Sequence, residues 1–244
     1  WQPSAHIDVP QFPAQPVLTA PVDTTVVGKE APMLFMGWRA EPSNSQQIDT
    51  LEIVAQLLSN GQAGLFDLDL SQKMKVQEIE AGVTDMNDYS VFYVYGQSKS
   101  GQTLQEVRSL ALDEIEKLKK GNFSDDLLPS IVNNYKRYYY KQLDNNQFRA
   151  KQYVDAFINH KDWKKEVDKL NRISKLTKAE IVKFANQFFR NDFACVYKEQ
   201  GNDTTIKKVE KPTITPIPTN NDKQSDFLKE IVNTKTTPIQ PQFV

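Results

Sequence analysis

Few residues in this chain could do covalent or metal chemistry, and they are scattered. His6 and His160 are its two histidines and Cys195 its one cysteine. A hydrolytic zinc centre needs about three convergent protein ligands plus a water. His6 falls in a proline-rich stretch and His160 beside Lys161 near a helix end, 154 positions away, and neither has a glutamate at a useful spacing. Both read as surface histidines, so no catalytic residue and no metal ligand is assigned. No serine or cysteine nucleophile has a histidine–acid partner to activate it, and no glycine-rich phosphate loop is present. A lone cysteine also excludes an internal disulfide.

The residues with binding chemistry are aromatic. Tyr89, Val91, Tyr93 and Tyr95 alternate with Phe92 and Val94, so an extended strand is apolar on both faces. One face must meet helices. The tyrosine face is then free either to contact unfolded peptide, since tyrosine joins apolar area to a hydroxyl, or to pack against a neighbouring domain. The run Tyr135–Lys136–Arg137–Tyr138–Tyr139–Tyr140 has the aromatic-plus-basic composition of a single-strand nucleic-acid binder. At helical spacing, however, Tyr135, Tyr138 and Tyr139 share a face with Ile131 and Val132, which predicts a half-buried helix. The acidic pairs Asp67/Asp69 and Asp125/Asp126 read as charges of a short helix and of a helix N-terminus.

The elements that position these residues follow from periodicity. Proline divides the chain: seven of its prolines precede residue 43, five follow residue 211, and only Pro129 lies between. Regular structure should therefore concentrate in the middle, with an extended lead-in over 1–22 and an extended linker over 201–244, interrupted by an amphipathic piece at Ser225–Val232. Between them, Asp23–Lys29 and Met33–Ala40 have strand character around a bend at Glu30–Pro32. Ile48, Leu51, Val54, Ala55 and Leu58 recur at helical spacing. Lys75–Val83 and Tyr89–Tyr95 read as strands joined by the turn sequence TDMND. Thr103 and Glu106 form a capping box ahead of the stripe Leu104, Val107, Leu110, Ala111, Ile115 and Leu118, with Gly121 as the stop. Helices are expected at Ser124–Leu143, Asn146–Asn159 and Asp162–Asn171. A last helix is capped by Thr177 and Glu180, and a final strand spans Phe193–Lys198. Paired strands followed by consecutive helices predict an α+β fold, an antiparallel sheet with helices on one face.

Bulk properties narrow the partners. With 30 Lys+Arg against 31 Asp+Glu the net charge is −1, so no global field recruits nucleic acid or anionic lipid. No apolar run approaches the ~18–20 residues of a membrane helix. Neither nucleic acid nor membrane is expected as a partner. The chain opens on Trp1 without a signal-peptide pattern, which reads as a piece of a longer polypeptide whose targeting signal lies elsewhere. The compartment is therefore open, a periplasmic or other extracytoplasmic one being compatible.

From Leu51 to Gly96 the order is a helix, a glycine-containing bend, a short helix and a hairpin, with Leu57, Leu58, Gly61, Gly64, Leu65 and Phe66 as its markers. This stretch resembles the non-catalytic domain of the insulinase/pitrilysin family of zinc peptidases. The resemblance implies a half-bowl domain over 23–200 that cannot itself cut. The family's zinc motif, an inverted H-x-x-E-H on a helix plus a distant Glu, is not found around His6 or His160. Zinc is thus expected in the parent enzyme and no cofactor in this chain. The family's substrate-holding Arg and Tyr would fall at Leu70 and Gln77, and that departure places the chain as the second of four domains.

Its implied partners are a zinc-bearing catalytic domain and the second half of the same polypeptide, with peptide as substrate. Tyr89, Val91, Tyr93 and Tyr95 would then line the substrate chamber. Two other readings remain: a scaffold domain of a family member that has lost its chemistry, and an independent binding module.

Overall fold

Strand β4 (Ser90–Gln97) alternates buried and half-buried residues along its whole length, the period-two signature of a strand covered on one side. The computed structural model describes residues 12–205, 209–217, 219 and 223–235, and β4 organises its sheet. Strand β2 (Met33–Ala40) pairs antiparallel with it, setting Trp38 opposite Phe92 and Met36 opposite Val94. Strand β3 (Glu78–Thr84) forms the expected hairpin with β4. On the other side of β2 lies β5 (Ala194–Gln200), antiparallel to it, and then β1 (Val22–Gly28). The order is β1-β5-β2-β4-β3.

The fold is α+β, an open sheet with helices on one face. One pair departs from the all-antiparallel expectation: β1 runs parallel to β5. The bend at Glu30–Pro32 makes no hairpin, because β5 is inserted between the two strands it connects.

The covered face holds the core. Leu34, Met36 and Trp38 of β2 and Phe92 and Val94 of β4 are buried with Leu51, Val54 and Leu58 of α1 (Gln47–Leu58). Val107, Ala111 and Leu118 of α2 (Leu104–Lys119) and Ile181 and Ala185 of α7 (Lys178–Phe188) complete it. Trp38 is its aromatic hub: Phe189 and Phe193 lie 5.3 and 4.8 Å from its ring, and its indole N–H donates to the Arg190 carbonyl at 3.1 Å. Both expected capping boxes form. The Glu106 N–H donates to the Thr103 hydroxyl and the Glu106 carboxylate accepts from the Thr103 N–H, and Thr177 and Glu180 repeat the arrangement. Gly121, at φ 71, follows the end of α2.

The bend after α1 explains the glycine and acidic residues there. A Cβ on Gly64 would lie 2.4 Å from the Leu58 carbonyl oxygen, so no other residue fits without moving backbone. Buried Asp67 then gathers the N–H groups of Asn60, Gln62 and Gly64 at 2.8, 3.1 and 2.9 Å. One carboxylate oxygen thus satisfies three donors of a loop that has no ladder of its own. Leu65 and Phe66 lead from this loop into a π-helical turn, Asp67–Ser71.

Three local readings differ from the sequence expectation. The β3 strand begins at Glu78, not Lys75, because the Lys75 N–H closes back on the Leu70 carbonyl and its own carbonyl accepts from the Gln102 side chain. The helix expected over Asp162–Asn171 is two, α5 (Trp163–Val167) and α6 (Lys169–Ser174), joined at Asp168. In α3 (Leu127–Gln142) Tyr135 and Tyr139 are half-buried but Tyr138 is 62% exposed, since only the Leu128–Val132 part of the helix lies deep in the core. Helix α4 (Asn146–Ile158) starts at Asn145, whose side chain accepts from the Gln147 and Phe148 N–H groups.

By contact the chain forms two compact units, Trp1–Asp203 and Thr204–Val244. Among its described residues the second unit contains α8 (Asp226–Asn233), begun by the Ser225 hydroxyl accepting from the Leu228 N–H. Its Phe227, Leu228, Ile231 and Val232 are exposed.

Candidate functional site

The helix-free face of the sheet carries Met33, Phe35, Gly37 and Arg39 from β2, Val91, Tyr93 and Tyr95 from β4, and Ala194 and Val196 from β5. Register decides its relief. Tyr93 stands between Gly37 and Gly82, and Gly37 is flanked in turn by Ala194. A row of small residues therefore crosses the sheet with one large ring in it. That ring leans over β3, where a Cβ on Gly82 would meet the Tyr93 hydroxyl at 2.5 Å. It also stacks on Phe35 at 5.4 Å with planes 15° apart. Burial, followed by the nearby Glu80 carboxylate, raises the Tyr93 phenol above its ordinary pKa. The Tyr95 hydroxyl accepts from the Gln97 amide.

At the Arg39 end of this face the surface deepens into a cleft of about 920 Å³. Phe35, Gly37, Arg39, Tyr89, Val91 and Val196 line it with Pro16, Val17 and Leu18 of the lead-in, and at the sheet's end it reaches Phe184 and Phe188 of α7. The Arg39 guanidinium lies over the ring of Tyr89, the residue just before β4, at 4.8 Å, a cation–π arrangement. Of the four residues read from sequence as a binding surface, all lie on the helix-free side. Only Tyr89 and Val91 line the cleft; Tyr93 and Tyr95 lie outside it. Arg39 was not anticipated. Its signal was the Phe35, Gly37, Arg39 alternation, which puts a cation on the face of β2 opposite the apolar set.

His160 stays apart from this surface. His160 is exposed at φ 51, and the neighbouring Lys161 N–H bonds back to the Ala156 carbonyl, so the histidine serves as the left-handed residue that ends α4. His6 falls outside the described residues. Among the described residues no group of three or more His, Cys, Asp or Glu could hold a metal ion. Cys195 is buried, and burial pushes its thiol upward, the opposite of nucleophile activation. Leu70, where the family resemblance would place an arginine, is fully buried in the core, while Gln77 is exposed.

Two charged clusters are structural. Asp49 of α1 receives the Arg172 guanidinium at 2.6 Å, and Lys169 reaches Glu52 at 2.8 Å and Asp49 at 3.3 Å, tying α6 to α1. Lys117 bridges Asp69 and Glu114 at 2.6 and 2.8 Å. Lys117 and then Lys73 hold the Asp69 carboxyl down at about 2, whereas burial raises that of Glu114.

The fold recurs in known proteins. A protease from Helicobacter pylori superposes with a TM-score of 0.72 at 18% identity, over 79% of this chain and 48% of its own. The peptidase M16 inactive domain from Pseudomonas fluorescens gives 0.65 at 12%, over 76% and 45%. The periplasmic protease PqqL from Escherichia coli gives 0.63 at 10%, over 82% and 24%. The chain thus spans about half the length of the first two and a quarter of the third. No curated protein sequence matches it. The family model described as the peptidase M16 inactive domain matches residues 1–135 of the 244, and the chain belongs to that family.

Proposed function

We propose that this domain forms one wall of the substrate chamber of a zinc metallopeptidase, with the metal and general base in a companion domain. The observation that carries this reading is the helix-free sheet face. An open sheet face of a two-layer domain needs a partner when it is this aromatic, and here it presents Phe35, Tyr93, Tyr95 and the cleft beside Arg39. Tyrosine rings and a shallow row of glycine and alanine suit an unfolded peptide, since rings take apolar side chains and hydroxyls take backbone groups. The chain's own residues would bind and orient; nothing in them would break a bond.

The test is peptide turnover by the full-length enzyme carrying Tyr93→Ser. A rise in KM or a fall in kcat/KM with the domain still folded supports the wall. Unchanged turnover would overturn the wall and leave this face only to dock a neighbouring domain. The scaffold alternative, a family member that has lost its chemistry, predicts no peptide turnover by the full-length chain even before substitution.

A further inference from the structure

The lead-in that borders the cleft is held in an unusual manner. Gln15 donates its backbone N–H to the Tyr89 hydroxyl at 3.3 Å. Its carbonyl accepts from the Arg39 guanidinium at 3.0 Å, and the same nitrogen reaches the Pro16 carbonyl at 3.4 Å. Both main-chain groups of one residue are thus satisfied by side chains of the sheet face, as a neighbouring strand would satisfy them. Both contacts are made to main-chain atoms of Gln15 and not to its side chain. The two reading side chains are braced on each other by the stacking of Arg39 on Tyr89, so donor and acceptor are fixed at the spacing of one extended residue.

The strap itself is loosely seated. Phe12 is 78% exposed, Val17 65% and Leu18 37%, so little apolar area anchors it, and its polar contacts are exposed to water. Exposed hydrogen bonds of this kind add little net stability, because water competes for the same groups. A segment held so lightly exchanges readily with another chain offering the same main-chain groups.

We propose that Arg39 and Tyr89 form a clamp for the backbone of an extended peptide, and that the chain's own Gln15–Leu18 strap occupies this clamp as an internal competitor. A second extended chain displaces the strap, lays its N–H and carbonyl on Tyr89 and Arg39, and places its following side chains in the cleft. The strap thereby sets a threshold for entry. This rests on the chamber-wall reading for its biological setting, but the clamp is a property of this domain alone.

The experiment uses a fluorescein-labelled peptide of sequence FPAQPVL, matching Phe12–Leu18, and follows its anisotropy with the 244-residue chain and with a form lacking residues 1–18. Removal of the strap should tighten binding by roughly tenfold. In the shortened form, Tyr89→Phe keeps the ring beneath Arg39 but removes the acceptor and should weaken binding several-fold. Arg39→Ala should abolish it. Retained cooperative unfolding of each variant keeps the comparison valid, because both residues lie at the surface.

Equal affinity with and without the strap overturns the competition. Equal affinity of the Arg39→Ala form overturns the clamp. Neither result bears on Tyr93→Ser turnover, so failure here and failure of the chamber reading are separately visible.

Discussion

The hydroxyl of Tyr93 occupies the space that a side chain on Gly82 would need, a Cβ there falling 2.5 Å from it. The neighbour is the far end of a side chain, so Gly82→Ala should displace the ring more than it destabilises the fold. The displaced ring loses its stacking on Phe35 and part of its burial. Its phenol should then titrate closer to the ordinary tyrosine value, because burial is the main cause of its upward shift. Ultraviolet pH titration of Gly82→Ala against the parent chain checks this; an unchanged titration would mean that the ring has another resting place.

The two faces of β4 should differ in their contribution to stability. Phe92 is fully buried against the helices, and Phe92→Ala should cost about 3–5 kcal/mol. Tyr93→Ser loses mainly one aromatic stack, worth about 1 kcal/mol. Urea denaturation of both variants measures the ratio, and equal losses would contradict the covered and open faces described above.

The loop after α1 depends on a single carboxylate. Asp67→Ala leaves the N–H groups of Asn60, Gln62 and Gly64 without their acceptor and should cost about 1–3 kcal/mol. Asp67→Asn retains an acceptor oxygen and should recover much of that. Gly64→Ala, which drives a Cβ into backbone, should cost about as much as overpacking a core, ~1–3 kcal/mol. Thermal unfolding midpoints rank the three variants.

Two carboxyls joined by Lys117 should pull stability in opposite directions with pH. Asp69 has its folded pKa lowered from 3.8 to about 2, so its stabilisation is complete above the higher value and lost as pH falls toward the lower one. Glu114 has its folded pKa raised above 4.5, chiefly by burial. Its contribution is present below 4.5 and declines as pH rises through the folded value. One oxygen of Glu114 is buried without a hydrogen-bond partner, which fits that direction. Asp69→Asn should flatten the acid limb of a stability–pH curve, and Glu114→Gln should remove the decline above pH 4.5.

What the sequence disclosed was local. The capping boxes at Thr103/Glu106 and Thr177/Glu180 are complete within four residues, and the alternation of Val91 to Tyr95 needs only one strand to be read. The bend at Gly61 and Gly64 was also visible, although its reason, the close approach to Leu58, was not. Glu114 carried a signal that passed unnoticed: with Leu104, Val107, Ala111 and Leu118 it continues a three–four spacing, so its burial follows from the helix period. By contrast, Gln15, Arg39 and Tyr89 come from three separate segments, and no spacing within any one of them announces their meeting. The same holds for β1, whose neighbour in the sheet is the last strand of the domain.

That neighbour has a consequence for how the domain is made. Val22 to Gly28 take their ladder from Ala194 to Gln200 and, among the described residues, from no other strand. During synthesis β1 leaves the ribosome first and waits, unpaired, until nearly the whole domain has followed, while β2, β3, β4 and α1 can already associate. Its Val22, Val26 and Val27 remain 43–46% exposed even when paired. This strand is therefore the one most open to a wrong partner before the domain closes, and its insertion beside β5 is the step that completes the sheet.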